Sequence, residues 1–95
     1  MAQLTQQADT WYVTGDMVLE TVSQLLVQSK ALTLQANTQL DLSKVTDVDT
    51  SAVSLILELQ RRAKKESVRL GLLAVPEDLT SLIQLYGVDT FIFSN

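Results

Sequence analysis

The fold is decided by residues 38–65, which read TQLDLSKVTDVDTSAVSLILELQRRAKK. The first five, 38–42, alternate in the two-residue period of a strand. Residues 43–48 are expected to form a connection with Val45 and Val48 tucked in. Residues 50–65 carry apolar side chains at helical spacing, namely Ala52, Leu55, Ile56, Leu59 and Ala63. The segment therefore predicts a strand, a connection and a strong helix, whose first turn Asp49 or Thr50 can cap.

The same periodicities extend to the rest of the chain. They predict short strands at 3–9 and 10–15, a helix at 18–32, a buried strand at 67–75, a third helix from Pro76 to Gly87, and a last short strand at Phe91-Ile92-Phe93. The order is β-β-α-β-α-β-α-β. Strands that alternate with helices predict an α/β fold with a mixed, mostly parallel β-sheet and helices packed on it. An antiparallel hairpin is expected at one edge.

Length and composition narrow the classes of function. The 95 residues predict a single domain, 1–95, and the formal net charge is −4. An acidic chain repels phosphate, so neither nucleic acid nor an anionic membrane is expected as a partner. Cysteine and histidine are absent. Thiol and imidazole nucleophiles, bases and metal ligands are therefore excluded, and an interaction module is favoured over an enzyme.

Targeting signals are absent from the sequence. The first seven residues, MAQLTQQ, are polar, and no apolar run approaches the roughly 20 residues that a membrane span needs. We therefore expect a cytoplasmic protein without direct membrane insertion.

Residues 40–52, LDLSKVTDVDTSA, resemble the signature segment of the STAS domain family. That signature is a strand ending in Asp-Leu-Ser, a short apolar loop, and an Asp-Ser/Thr-Ser/Gly-Gly run that opens a helix. The resemblance implies the STAS fold over essentially the whole chain. Two departures are that Ala52 stands where the signature has glycine, and that Gly15-Asp16-Met17-Val18 retains little of the family's Gly-Glu-Leu-Asp.

Within the family, the sequence is most similar to the MlaB branch. Thr50 directly follows the aspartate as it does in that branch, and the third helix ends in a similar Leu82-Ile83-Gln84-Leu85-Tyr86. The resemblance implies a non-catalytic subunit without cofactor or metal. It would bind and regulate or stabilise the ATPase (MlaF-like) of a Mla-type phospholipid ABC transporter, which maintains outer-membrane lipid asymmetry. A permease (MlaE-like) and a substrate-binding subunit (MlaD-like) would complete the complex, holding the chain peripheral to the inner membrane.

Ser51 keeps a second reading open. Anti-sigma factor antagonists of the family are phosphorylated at this position, where MlaB-like members usually have glycine. The alternative function is therefore an anti-sigma factor antagonist switched by phosphorylation at Ser51. A nucleotide-binding STAS module is the third and weakest idea.

The expected partner-binding residues lie at the start and along one face of the second helix. Thr50 is the first candidate, Ser51 and Ser54 follow, and Asp49, Glu58 and Arg61 complete the set. The structural alternatives are helix capping for Asp49, Thr50 and Ser51 and a solvent-exposed helix face for the other residues. Glu58 and Arg62 are also spaced to form an ion pair.

Three other features can each be interpreted as structural or as functional. The run Arg61-Arg62-Ala63-Lys64-Lys65 either complements the helix dipole or binds phosphate or lipid headgroups. One ring of Trp11 and Tyr12 is expected to point inward, and the other either packs at the edge or anchors a partner. Asp41 and Asp49 are conceivable as paired carboxylates, but catalysis is not expected from them.

Overall fold

Four strands and four helices follow one another in the computed structural model, which describes residues 2–93. Met1, Ser94 and Asn95 belong to the predicted domain but lie outside the described residues. The elements are β1 Gln3–Gln7, β2 Thr10–Met17, α1 Leu19–Ser29, β3 Asn37–Val48, α2 Thr50–Lys65, β4 Arg69–Leu73, α3 Glu77–Leu85 and α4 Asp89–Phe93. The predicted bounds of α2 are those observed.

The strands form one sheet in the order β1-β2-β3-β4. β1 and β2 pair antiparallel as a hairpin, whereas β2 pairs with β3, and β3 with β4, in parallel. The mixed, mostly parallel sheet of the prediction is therefore confirmed. Because β2, β3 and β4 run in the same direction, the helices that follow them all begin at the same edge of the sheet.

The core lies between one face of the sheet and the helices. Along β2, Trp11 and Val13 are buried while Tyr12 and Thr14 are half-buried, so the inward ring is that of Trp11. The side chains that β3 buries, Leu40 and Leu42, join the same core. The buried residues that the helices contribute to this core are Leu25, Ala52, Val53, Leu55, Ile56, Leu59, Ala63, Leu79, Ile83 and Ile92.

Residues 43–48 are strand, and the prediction of a connection there was wrong. β3 continues to Val48 because β2 also runs on, to Met17, and offers a pairing partner along that length. Gly15 pairs with Val45 and Met17 with Val48, with two register irregularities on the way. Val45 and Val48 do pack against the core, as expected.

The predicted last strand, 91–93, is the short helix α4 instead. Val88 and Ile92 are four residues apart, and both contact the core, which is helical spacing. The buried Gln60 side chain donates from Nε2 to the carbonyl oxygens of Leu70, at 2.8 Å, and Ile92, at 2.9 Å. The backbone of α4 is thus bonded to a side chain of α2 rather than to a strand.

Arg62 is a core-facing residue and not part of the exposed face of α2. Its guanidinium donates to the carbonyl oxygens of Ser29 and Leu32, both at 2.8 Å, and to the Glu66 carboxylate at 2.9 Å. It also lies over the Trp11 ring, 5.7 Å from the centroid. The expected pair with Glu58 was wrong: Glu58 pairs with Arg61 instead, at 2.8 Å. Arg62 therefore fastens the C-terminal end of α1 to α2.

We expect Arg62→Ala to lower the free energy of unfolding by about 1–3 kcal/mol, because charge-assisted bonds to two carbonyl groups are lost. The adjacent Arg61→Ala is the matched control. It removes an exposed ion pair and should change stability by less than about 0.5 kcal/mol. Urea unfolding followed by Trp11 fluorescence measures both. Equal losses in the two variants would show that Arg62 is not the fastening residue.

Candidate functional site

A single carboxylate joins the beginnings of two helices. Asp49 Oδ1 accepts a hydrogen bond from the Ser51 amide at 2.8 Å, and Asp49 Oδ2 accepts one from the Leu19 amide at 3.0 Å. Its own amide donates to the Met17 carbonyl oxygen at 3.3 Å. Neighbouring parallel strands end at the same edge, so the first turns of α1 and α2 lie within reach of one side chain. Asp49, not Thr50, is therefore the cap.

The environment of Asp49 keeps its carboxylate charged. Partial burial is the largest single influence on its pKa and raises it, but hydrogen bonds from the Leu19 amide and from the Ser51 amide and hydroxyl together outweigh burial. The net result is a pKa below the ordinary value of 3.8. The carboxylate is therefore ionised at neutral pH, and its negative charge is favourable beside the N-termini of two helices.

Asp41 does not join Asp49. Its pKa is also lowered, first by hydrogen bonds from the hydroxyl and amide of Ser43 and further by the charge of Lys44. Eight residues of mostly extended chain separate the two aspartates, which is roughly 20 Å or more. They are not a pair for acid–base chemistry.

The remaining predicted residues form a ridge on α2. We define the α2 ridge as Thr50, Ser54, Glu58 and Arg61, all of them exposed. Successive members are three or four residues apart, so they lie along one face of the helix. Ser51 is half-buried beside Asp49. The six residues expected from sequence thus lie at the start of α2 or along this side of it, with Asp49 directly before the first member of the ridge.

A groove between α1 and α2 runs beside the ridge. We call it the α1–α2 groove; its volume is about 230 Å³, and it is lined by Val22, Ser23, Leu26, Ser51, Ser54, Leu55 and Glu58. The α1 residues were missed because Val22 and Leu26 belong to a stripe that predicts core packing. Leu19, exposed over 69% of its surface, lies at the N-terminal end of α1 and was also missed.

The basic run at the end of α2 does not form one cluster. Arg62 points to the core and Arg61 pairs with Glu58. The Lys64 ammonium lies 5.8 Å from the centre of the Phe91 ring. This arrangement does not support the functional interpretation of the basic run as a phosphate or headgroup site.

Neither a metal-binding cluster nor a membrane-spanning helix occurs within residues 2–93. No group of three acidic, histidine or cysteine side chains there is placed to hold a metal ion. No helix in this part of the chain is long and apolar enough to cross a membrane.

We expect the stabilisation from Asp49 to depend on pH. Because its folded pKa is depressed, the contribution is complete above the unfolded value near 3.8 and is lost as pH falls through the lower folded value. Asp49→Ala should cost about 1 kcal/mol at pH 7, and the gap to the unchanged protein should narrow below pH 4. Urea unfolding between pH 7 and pH 2 measures this gap. Asp49→Asn, which keeps a capping oxygen without the charge, is the control, and a gap that is constant with pH would contradict the assignment.

Comparison with known proteins places this geometry in a family. The family model described as "Mlab, STAS domain" matches residues 1–93. No curated protein matches the sequence significantly.

Solved structures share the fold at low sequence identity. A sulfate transporter family protein from Wolinella succinogenes superposes with a TM-score of 0.73 at 15% identity, covering 90% of this chain and 71% of that one. The anti-sigma factor antagonist SpoIIAA in its unphosphorylated form superposes with a TM-score of 0.65 at 18% identity, covering 90% and 83%. With the family match over nearly the whole sequence, these likenesses identify the β-β-α-β-α-β-α-α arrangement as the STAS fold, and the chain belongs to the STAS domain family.

Proposed function

We propose that this chain is a non-catalytic subunit that binds and regulates the ATPase of a Mla-type phospholipid ABC transporter. The observation that carries the proposal is the firmly held, exposed start of α2 on a chain that matches the Mlab family model. Thr50 is the first residue of the helix, is open to solvent, and is held in place through the cap that precedes it. Such a residue is available for a partner without any rearrangement of the domain.

The chemistry of the site supports binding rather than catalysis. The sequence contains neither histidine nor cysteine. Asp49, the carboxylate directly before the ridge, has a lowered pKa, so at neutral pH it is a poor proton donor and a weak base. Hydroxyl groups and one ion pair are what the ridge presents to a partner, and these groups position and hydrogen-bond a protein surface.

The proposed complex follows the family branch. The ATPase (MlaF-like) would contact the α2 ridge, and the permease (MlaE-like) and substrate-binding subunit (MlaD-like) would complete the assembly. The chain would then sit at the cytoplasmic side of the inner membrane through its partner. Nucleic acid and inserted lipid have no place in this proposal.

The second candidate function is an anti-sigma factor antagonist, and the position of Ser51 favours it specifically. The Ser51 amide bonds to the Asp49 carboxylate at 2.8 Å, and the Ser51 side chain lines the α1–α2 groove. A phosphoryl group there would add a charge of about −2 against a carboxylate that is already ionised. The repulsion would disturb the cap, and the phosphoryl group would occupy the groove, so a partner would be released.

Thr50→Arg is expected to abolish recovery of the ATPase in an affinity pulldown from the native host. The long charged side chain would stand where the partner approaches, without touching the core. Thr5→Arg is the matched control, since Thr5 is also an exposed threonine but lies on the edge strand β1, away from α2. It should leave recovery unchanged.

The identity of the recovered protein separates the two functions. An ABC ATPase together with a permease, lost only in Thr50→Arg, supports the transporter subunit. Recovery of a small kinase-like protein that phosphorylates Ser51, and that no longer binds the phosphorylated chain, would support the anti-sigma factor antagonist instead. An ATPase retained by Thr50→Arg would move the interface away from the α2 ridge.

A further inference from the structure

The α1–α2 groove has the size and lining of a seat for one side chain. Its apolar surface comes from Val22 and Leu26 of α1 and from the buried Leu55 of α2, and the hydroxyls of Ser23, Ser51 and Ser54 edge it. At about 230 Å³ it is smaller than the roughly 300–1,000 Å³ of small-molecule sites. A single large apolar side chain fits this volume better than a cofactor or substrate does.

The two walls of the groove are held together at both ends. At one end the Asp49 carboxylate bonds to the first turn of each helix, at 2.8 and 3.0 Å. At the other end Arg62 of α2 donates to the carbonyl oxygen of Ser29, the last residue of α1. The groove is therefore formed before a partner arrives, and binding in it requires little ordering of this chain.

Acidic side chains dominate the approach to the groove from the beginnings of the helices. Glu20 lies in the first turn of α1, Asp47 is exposed near the end of β3, and Asp49 lies between the helices. Asp16, whose carboxylate bonds to the Thr46 hydroxyl, adds a fourth acid, and Lys44 is the nearby cation. Glu58 on the groove edge is neutralised by Arg61. The approach is negative, so it attracts a positively charged segment.

We propose that the partner seats one large apolar side chain in the α1–α2 groove and that lysine or arginine residues flank this side chain. The inference rests on the proposed function and specifies the chemistry of the ATPase surface that meets the α2 ridge. The apolar side chain supplies the buried anchor, while the flanking cations meet the acids at the beginnings of α1 and α2.

Filling the groove tests the anchor. Ser23→Phe fills the groove with an apolar side chain from α1, and Ser54→Leu fills it with one from α2. Each variant should weaken binding of the purified ATPase at least about tenfold. Ser81→Phe is the matched control, because Ser81 is an exposed serine on α3 outside the groove. It should change the dissociation constant less than about twofold. Unfolding curves identify any variant that does not fold, and the second filling variant then decides.

Reversing a charge tests the flanking cations. Glu20→Lys and Asp9→Lys each reverse the charge of an exposed acid, but Asp9 lies in the turn between β1 and β2, at the edge of the sheet opposite to the beginnings of α1 and α2. Glu20→Lys should slow association with the ATPase about threefold to tenfold at low salt, and the difference should shrink at high salt. Asp9→Lys should associate at the rate of the unchanged protein.

The outcomes distinguish this inference from the proposed function. Loss of binding in Thr50→Arg but not in Ser23→Phe and Ser54→Leu would overturn the anchor and keep the transporter subunit. Faster association of Glu20→Lys would overturn the positive segment. Failure of the unchanged chain to bind an ATPase would overturn both proposals together. Self-association of the unchanged chain that Ser23→Phe abolishes would assign the groove to a second copy instead.

Discussion

The Asp49 carboxylate is the interaction on which the rest of the site depends. Every helix begins with amide groups that have no partner within the helix. Here two helices begin side by side, because the parallel strands β2 and β3 end at the same edge, and one carboxylate accepts an amide hydrogen from each. The position of α1 relative to α2 is thereby fixed at this end. The α2 ridge and the α1–α2 groove both follow from that placement.

The parts of the fold that could be predicted are those that local periodicity determines. The apolar spacing of 50–65 gave the helix with its observed bounds, and Asp49 was among the expected caps. The extension of β3 could not be read from 43–48, because strand formation there depends on the length of β2 beside it. The strand predicted at 91–93 is wrong because three residues are too few to show whether apolar side chains repeat with the period of a strand or of a helix. The helical spacing becomes visible only when Val88 is included.

The positions of the candidate residues could be predicted along a single helix but not between two helices. The α2 ridge needs only the geometry of a single helix, so its members could be placed from their spacing. The α1–α2 groove needs the distance between α1 and α2, which the sequence does not contain. Arg62 illustrates the same limit. Both Glu58 and Glu66 lie four residues from it, and the carbonyl oxygens of Ser29 and Leu32, which lie roughly 30 residues away in sequence, decide its direction.

In the proposed complex, stability and recognition share the same residues of this domain. If α1 moved away from α2, the Leu19 amide would lose its carboxylate partner, and Asp49 would cap one helix instead of two. In the proposed complex, Asp49 is a positioning residue: it directly precedes the ridge and acts on the partner through Thr50, Ser51 and the width of the groove. A partner that contacts both helices recognises a geometry that the domain maintains for its own folding. In the proposed complex the domain docks as a rigid body, because α1 and α2 are already fastened to each other at both ends.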